Sequence, residues 1–177
     1  MAYTFSEARA GLFPLAVVDS GQATANNSTA VPTFPAKLGM IVRATDPTYG
    51  EGEFILLAGV ASTAIGSVVT YNTTSYTTAL APAGTNLPQP IAVAMSANTA
   101  ATTFGWYQIS GVAVAAKNAV TASLVASTPV GIVTAGVFNN TATGAEVQGA
   151  LVAATATATA TTVQVVLNRP HMQGRIT

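Results

Sequence analysis

Between Phe54 and Ala116 the chain carries no Asp, Glu, Lys, Arg or His, and from Phe54 to Asn168 only Lys117 and Glu146 interrupt the uncharged run. A stretch of that length cannot turn charged faces to water, so its surface must be buried in a core or covered by a partner. It also holds almost none of the titratable groups that general acid–base, metal or nucleophile chemistry requires, and no enzymatic activity is expected. Of the six basic and six acidic side chains, eight lie in the first 53 positions, and Arg169 and Arg175 lie near the far end. Polar specificity is therefore concentrated at the two ends of the chain.

The 177 residues suffice for one domain with a real core, or one domain and an extended arm. Half of them are hydrophobic and only 7% are charged, against about 25% in an average soluble domain. The net charge is zero, so the field that draws proteins to phosphate backbones or anionic lipid is missing. Neither nucleic acid nor a membrane surface is expected as a partner. With no cysteine, added stability must come from packing or oligomerisation. The opening MAYTFSEARAGLFPL lacks a basic region followed by a continuous apolar run; a secretory signal is not expected, and synthesis in a cytoplasm is. The apolar stretch Phe54 to Thr70 is long enough to span a bilayer but is broken by Gly59, Ser62, Thr63, Gly66 and Ser67. Two strands joined by a turn is the better expectation.

Helical periodicity is scarce, whereas β-branched residues and short apolar runs recur between Gly, Pro, Asn and Ser. That pattern predicts an all-β fold, a small β-sandwich or β-barrel. Strands are expected over 40–45, 53–58, 67–71, 76–80, 91–95, 103–109, 112–116, 130–133, 146–153 and 162–167. Alanine-rich Asn118 to Ala126 is the one candidate for a short helix. The alternating Ala/Thr run Ala154 to Thr162 is expected as one long strand or a hairpin with a soft turn. Ser20 to Pro35, rich in small polar residues and proline, marks residues 1–37 as an extended N-terminal arm. Residues 38–177 are then the compact β domain, ending in a basic tail. Glycosylation-type patterns at Asn26, Asn27, Asn72 and Asn139 are the chance yield of a Thr-rich chain.

The densest polar cluster is RATDPTYGEGEF, with Arg43, Asp46, Tyr49, Glu51 and Glu53 around a turn rich in Gly and Pro. Three carboxylates within eight residues could gather oxygens around calcium, but the spacing fits no known cation loop. A charged turn, paired with Arg43 or docked on another subunit, is the expectation. Glu51 and Glu53 as a hydrolytic pair would lie on one strand with no basic or nucleophilic neighbour. His171 is the only histidine and falls in LNRPHMQGRIT between Arg169 and Arg175, a tail suited to gripping an acidic surface. Trp106 and Tyr107, in TFGWYQIS, have no basic neighbours and belong in a core or subunit interface. No metal and no cofactor is expected.

The order RATDPTYGEGEFILLAGVAS, GSVVTYN, PIAVAMS, FGWYQISGVAVA and VVLNRP resembles small head proteins of tailed bacteriophages, the cement or decoration proteins encoded beside the major capsid protein. The similarity runs from about Arg43 to Pro170; the Ala/Thr run departs from it, which leaves the pairing of the last strands open. The resemblance implies a β-rich body, a trimer rather than a dimer, seated on the outer capsid surface of the virion and clamping neighbouring capsid subunits after expansion. It also implies an N-terminal arm reaching onto the shell, which makes Glu7, Arg9, Phe13 and Asp19 the first candidate contacts. The contrasting expectation, motivated by the Thr- and Ala-rich strands and the Trp106–Tyr107 pair, is a tail-fibre or receptor-binding β module.

Overall fold

The computed structural model describes residues 3–6, 38–119 and 122–174. They form eleven strands: β1 (Thr4–Phe5), β2 (Ile41–Asp46), β3 (Gly50–Ala58), β4 (Val68–Tyr71), β5 (Thr78–Leu80), β6 (Ile91–Ala94), β7 (Phe104–Ala116), β8 (Pro129–Thr134), β9 (Val137–Asn139), β10 (Glu146–Ala154) and β11 (Thr162–Met172). The fold is all-β. All eleven join one continuous sheet in the order β1-β2-β3-β7-β11-β10-β8-β9, with β6 branching from β7, β4 from β6 and β5 from β4. Every ladder between these strands is antiparallel.

Alternation decides which strands can face solvent. In β11, Val163, Val165 and Leu167 are buried while Thr162, Val166 and Asn168 are exposed, the period-2 pattern of a sheet with one wet face. β3 lacks that alternation because it is covered on both sides. Phe54 and Leu56 join Tyr3, Val42, Met95 and Trp106 in one core. Ile55 and Leu57 turn the other way onto Val69, Ala92, Ala94 and Tyr107. The continuous apolar run FILLA is thus the signature of a strand between two packed layers. A third core, including Val68, Ile132, Phe138, Val152, Val165 and Leu167, fills the other half of the molecule.

The sheet curls around that third core. Lys117 forms a single parallel bridge to Phe138, so β9 returns to the end of β7, and the Val68 amide donates to the Gly136 carbonyl (2.9 Å). The outcome is one open antiparallel sheet bent over itself, with a single bridge where β9 meets the end of β7.

β7 ties the halves together. Its N-terminal part pairs with β3 and β6 and its C-terminal part with β11; Ser110 is opposite both Glu53 and Asn168. The two strands expected at 103–109 and 112–116 are therefore one, passing straight through Gly111, whose φ is 89°.

Several expectations are corrected. No helix occurs among the described residues; of the expected helix Asn118 to Ala126, the described positions 118, 119 and 122–126 are not helical. Leu124 forms an antiparallel bridge with Ala156, each amide donating to the other's carbonyl at 2.9 and 2.8 Å, and this pairing overrides alanine's weak helical preference. The Ala/Thr run takes the second of its two expected forms, the hairpin connection between β10 and β11. The expected basic tail is in part a strand, since β11 continues through Arg169 and His171 to Met172. At the other end, Tyr3 is fully buried and Thr4 and Phe5 pair with Thr45 and Ala44. Residues 3–6 thus pack on the body, and the rest of the expected arm, residues 7–37, lies outside the described residues. The Phe54 to Thr70 stretch holds most of β3, a turn and the start of β4; no described helix is long and apolar enough to cross a membrane.

Burial also sets the alkaline limit of stability. Tyr3 and Tyr107 have pKa values raised above the ordinary 10.0, chiefly because burial disfavours the phenolate. The unfolded chain releases these protons near pH 10 while the native state retains them, so stability is intact below that pH and falls above it. Urea midpoints at pH 8 and pH 10.5 should differ, with the native protein weaker at the higher pH, and Tyr107→Phe should reduce the difference. Equal midpoints would refute the assignment.

Candidate docking surface

Register carries four polar residues into one row. Arg43 on β2 is opposite Glu53 on β3, Glu53 is opposite Ser110 on β7, and Ser110 is opposite Asn168 on β11. Glu51 lies two residues before Glu53 on the same face of β3. These side chains and Arg169 line a shallow cleft of about 390 Å³.

Glu53 is the hub. Its Oε2 accepts from Arg169 Nε (3.2 Å) and Nη2 (3.0 Å), and its Oε1 lies 3.6 Å from Arg43 Nε. Glu51 Oε1 lies 3.9 Å from the same Arg43 nitrogen. The Glu53 side chain is only 20% exposed, whereas the Arg43 and Arg169 side chains are 59% and 63% exposed. Ion pairs this open are worth about 0.2–1 kcal/mol each, so the cluster adds little to stability. What it provides is a fixed pattern of two cationic and two anionic groups.

Backbone geometry aims the second arginine. Arg169 has φ 44°, a left-handed conformation uncommon outside glycine, and precedes Pro170. It sits where the β10–β11 register slips, across from Gly149 at φ 76°. A Cβ on Gly149 would lie 2.7 Å from the Asn168 carbonyl oxygen, so glycine there admits the bulge that turns Arg169 toward Glu53.

Other residues singled out in the sequence have different places. Asp46 is 4% exposed, and its Oδ1 accepts from the Thr48 and Tyr49 amides at 2.7 and 3.0 Å. It closes the β2–β3 turn. Tyr49 is partly buried against the core around Phe54. With Asp46 aimed at backbone amides and both glutamates at Arg43, the three carboxylates do not converge on a cation. His171 Nε2 and Gln148 Oε1 are hydrogen-bonded at 2.8 Å across β10 and β11. Trp106 and Tyr107 are 3% and 0% exposed; Trp106 meets Phe5 edge-on at 5.6 Å, and the Tyr107 hydroxyl and Asn98 amide are hydrogen-bonded at 3.1 Å. They are core residues. Glu7, Arg9, Phe13, Asp19 and Arg175 lie outside the described residues.

The sequence reading missed Ser110 and Asn168, because neither carries a charge or a motif and only strand register brings them to Glu53. Arg169 and Glu53 were each singled out, but their pairing across 116 residues was not. No family model matches the chain, and no curated protein matches it.

Proposed function

We propose that this chain is a structural virion protein of a tailed bacteriophage, bound to the outer capsid surface, where it clamps neighbouring major capsid subunits and stabilises the expanded head. The observation that carries the reading is the ion-paired row Arg43–Glu53–Arg169 with Glu51, exposed on a body otherwise almost free of charge. A flat polar pattern suits recognition of another protein's surface better than enclosure of a small substrate. The resemblance of the Arg43 to Pro170 segment to cement proteins points the same way, and it extends the contact to the arm residues Glu7, Arg9, Phe13 and Asp19. Many copies, each with modest affinity, would hold a pressurised shell through avidity, with no chemical step and no cofactor. Burial of Trp106 and Tyr107 removes one of the two motives for a receptor-binding module and leaves the Thr- and Ala-rich strands as the other.

Counting this chain against the most abundant shell protein by quantitative mass spectrometry of purified particles tests the proposal. Near parity is expected; a small fraction would indicate a tail or fibre component, and absence would defeat the reading. On the isolated protein, Glu53→Gln removes the anion between two guanidiniums and should weaken capsid binding at least about tenfold. Folding stability should change by less than about 1 kcal/mol. Replacing residues 7–36 by a flexible linker, with Tyr3 to Ser6 retained, should likewise weaken capsid binding while the body stays folded.

A further inference from the structure

The outward face of the third core's wall carries an apolar row that the curled sheet leaves uncovered. Val112 on β7 is opposite Val166 on β11, Val166 is opposite Leu151 on β10, and Leu151 is opposite Pro129 on β8. Three strand spacings make this row about 14 Å long. Val166 and Leu151, at its centre, are 44% and 48% exposed. Val112 and Pro129, at its ends, are partly buried, and the inward neighbours Val165 and Val152 already fill the core, so the exposed parts of Val166 and Leu151 are not needed to close the fold. Single exposed aliphatic residues are ordinary, whereas side chains aligned in register across four strands make a contiguous patch.

We propose that this face is where one copy of the chain meets another. The proposal rests on the reading of the chain as a structural virion protein present in many copies, and it names the surface on which copies meet. Two residues further along β7 and β11, about 7 Å away, lie Ser110 and Asn168 of the charged row. The patch therefore has an apolar centre and a charged margin, the usual anatomy of a protein interface. Charge selects the occupant. Two guanidiniums and two carboxylates offer no net field to a strongly acidic or basic partner, but they complement a surface of the same composition. The chain's zero net charge also removes the repulsion that keeps copies apart. A stable pair needs about 800 Å² from each partner, more than four side chains supply, so the contact reaches Ser110 and Asn168 on one side and Val114 and Gln164 on the other, with the ion-paired side chains left at its solvent-accessible rim.

Sedimentation of the full chain tests this without any capsid present. The native protein should self-associate; Val166→Glu and Leu151→Glu should each raise the dissociation constant at least about tenfold. Because both side chains face solvent, circular dichroism should be unchanged, and the melting temperature should match the native value at dilutions where the native chain is also dissociated. A native protein that stays monomeric at high concentration, or variants that assemble as the native chain does, would overturn the proposal. Monomeric protein whose variants lose capsid binding would also overturn it, and would assign the row to the shell. The absence of cysteine permits a direct probe. Alkylation of Val166→Cys should be slowed at least about tenfold in the assembled protein relative to urea-unfolded protein, and equal rates would count against the contact. Particle copy number bears only on the capsid reading, so the two can fail separately.

Discussion

Substituting Gly111 by alanine should lower the melting temperature by about 10 °C, one of the two largest losses expected from a single change. Two costs add at this position. The left-handed conformation, φ 89°, costs an L-residue about 1–2 kcal/mol. In addition, a Cβ would lie 2.5 Å from the Glu51 carbonyl oxygen and 2.9 Å from the Gly52 Cα, which are backbone atoms fixed by the β3 ladder. Forcing them apart costs about another 1–3 kcal/mol, and each kcal/mol lowers the melting temperature of a chain this size by about 2–4 °C. Gly50 is the control, since its φ is 75° but a Cβ there meets nothing within 4 Å. Gly50→Ala should carry the conformational cost alone. Equal losses in calorimetry of the two variants would disprove the close-approach argument.

Tyr3→Ala should cost about 4 kcal/mol, whereas Tyr3→Phe should cost only about 1 kcal/mol. The ring is fully buried and meets Phe54 edge-on at 4.8 Å. Its hydroxyl donates to the Val112 carbonyl at 2.9 Å. Truncation to alanine leaves a void beside Phe54 and removes that donor, while phenylalanine keeps the packing and loses only the hydrogen bond. Urea denaturation of both variants checks the ordering. A Tyr3→Ala protein as stable as the native one would mean that β1 is dispensable. The same contact governs trials of the arm: a cut that removes Tyr3 to Ser6 would weaken the body and be mistaken for lost binding.

Most strands were legible because their neighbours impose a pattern that survives in one dimension. β2 and β11 alternate because one face is wet, and FILLA does not because neither is. Three features were hidden for physical reasons. Gly111 looks like a strand break, yet its freedom at positive φ lets the chain pass between two ladders without stopping. Asn168 to His171 looks like a tail because Asn-Arg-Pro is turn chemistry, but the bulge opposite Gly149 accommodates it inside a strand. Thr4–Phe5 is too short to show any period. Of the docking surface, the Arg43–Glu53 pair was visible because it is local to one hairpin. Ser110, Asn168 and the apolar row depend on register between distant strands, which no single segment encodes.

The passage of β7 through both halves also bears on how the molecule comes apart. Its 13 residues supply side chains to all three cores, Trp106 to one, Tyr107 and Ile109 to the next, and Ala113 and Ala115 to the last. Peeling away either half strips one end of a strand whose other end is still needed, so neither half has a complete scaffold once its neighbour opens. The chain should accordingly melt as one cooperative unit, with amide protons deep in both halves exchanging through a single opening event.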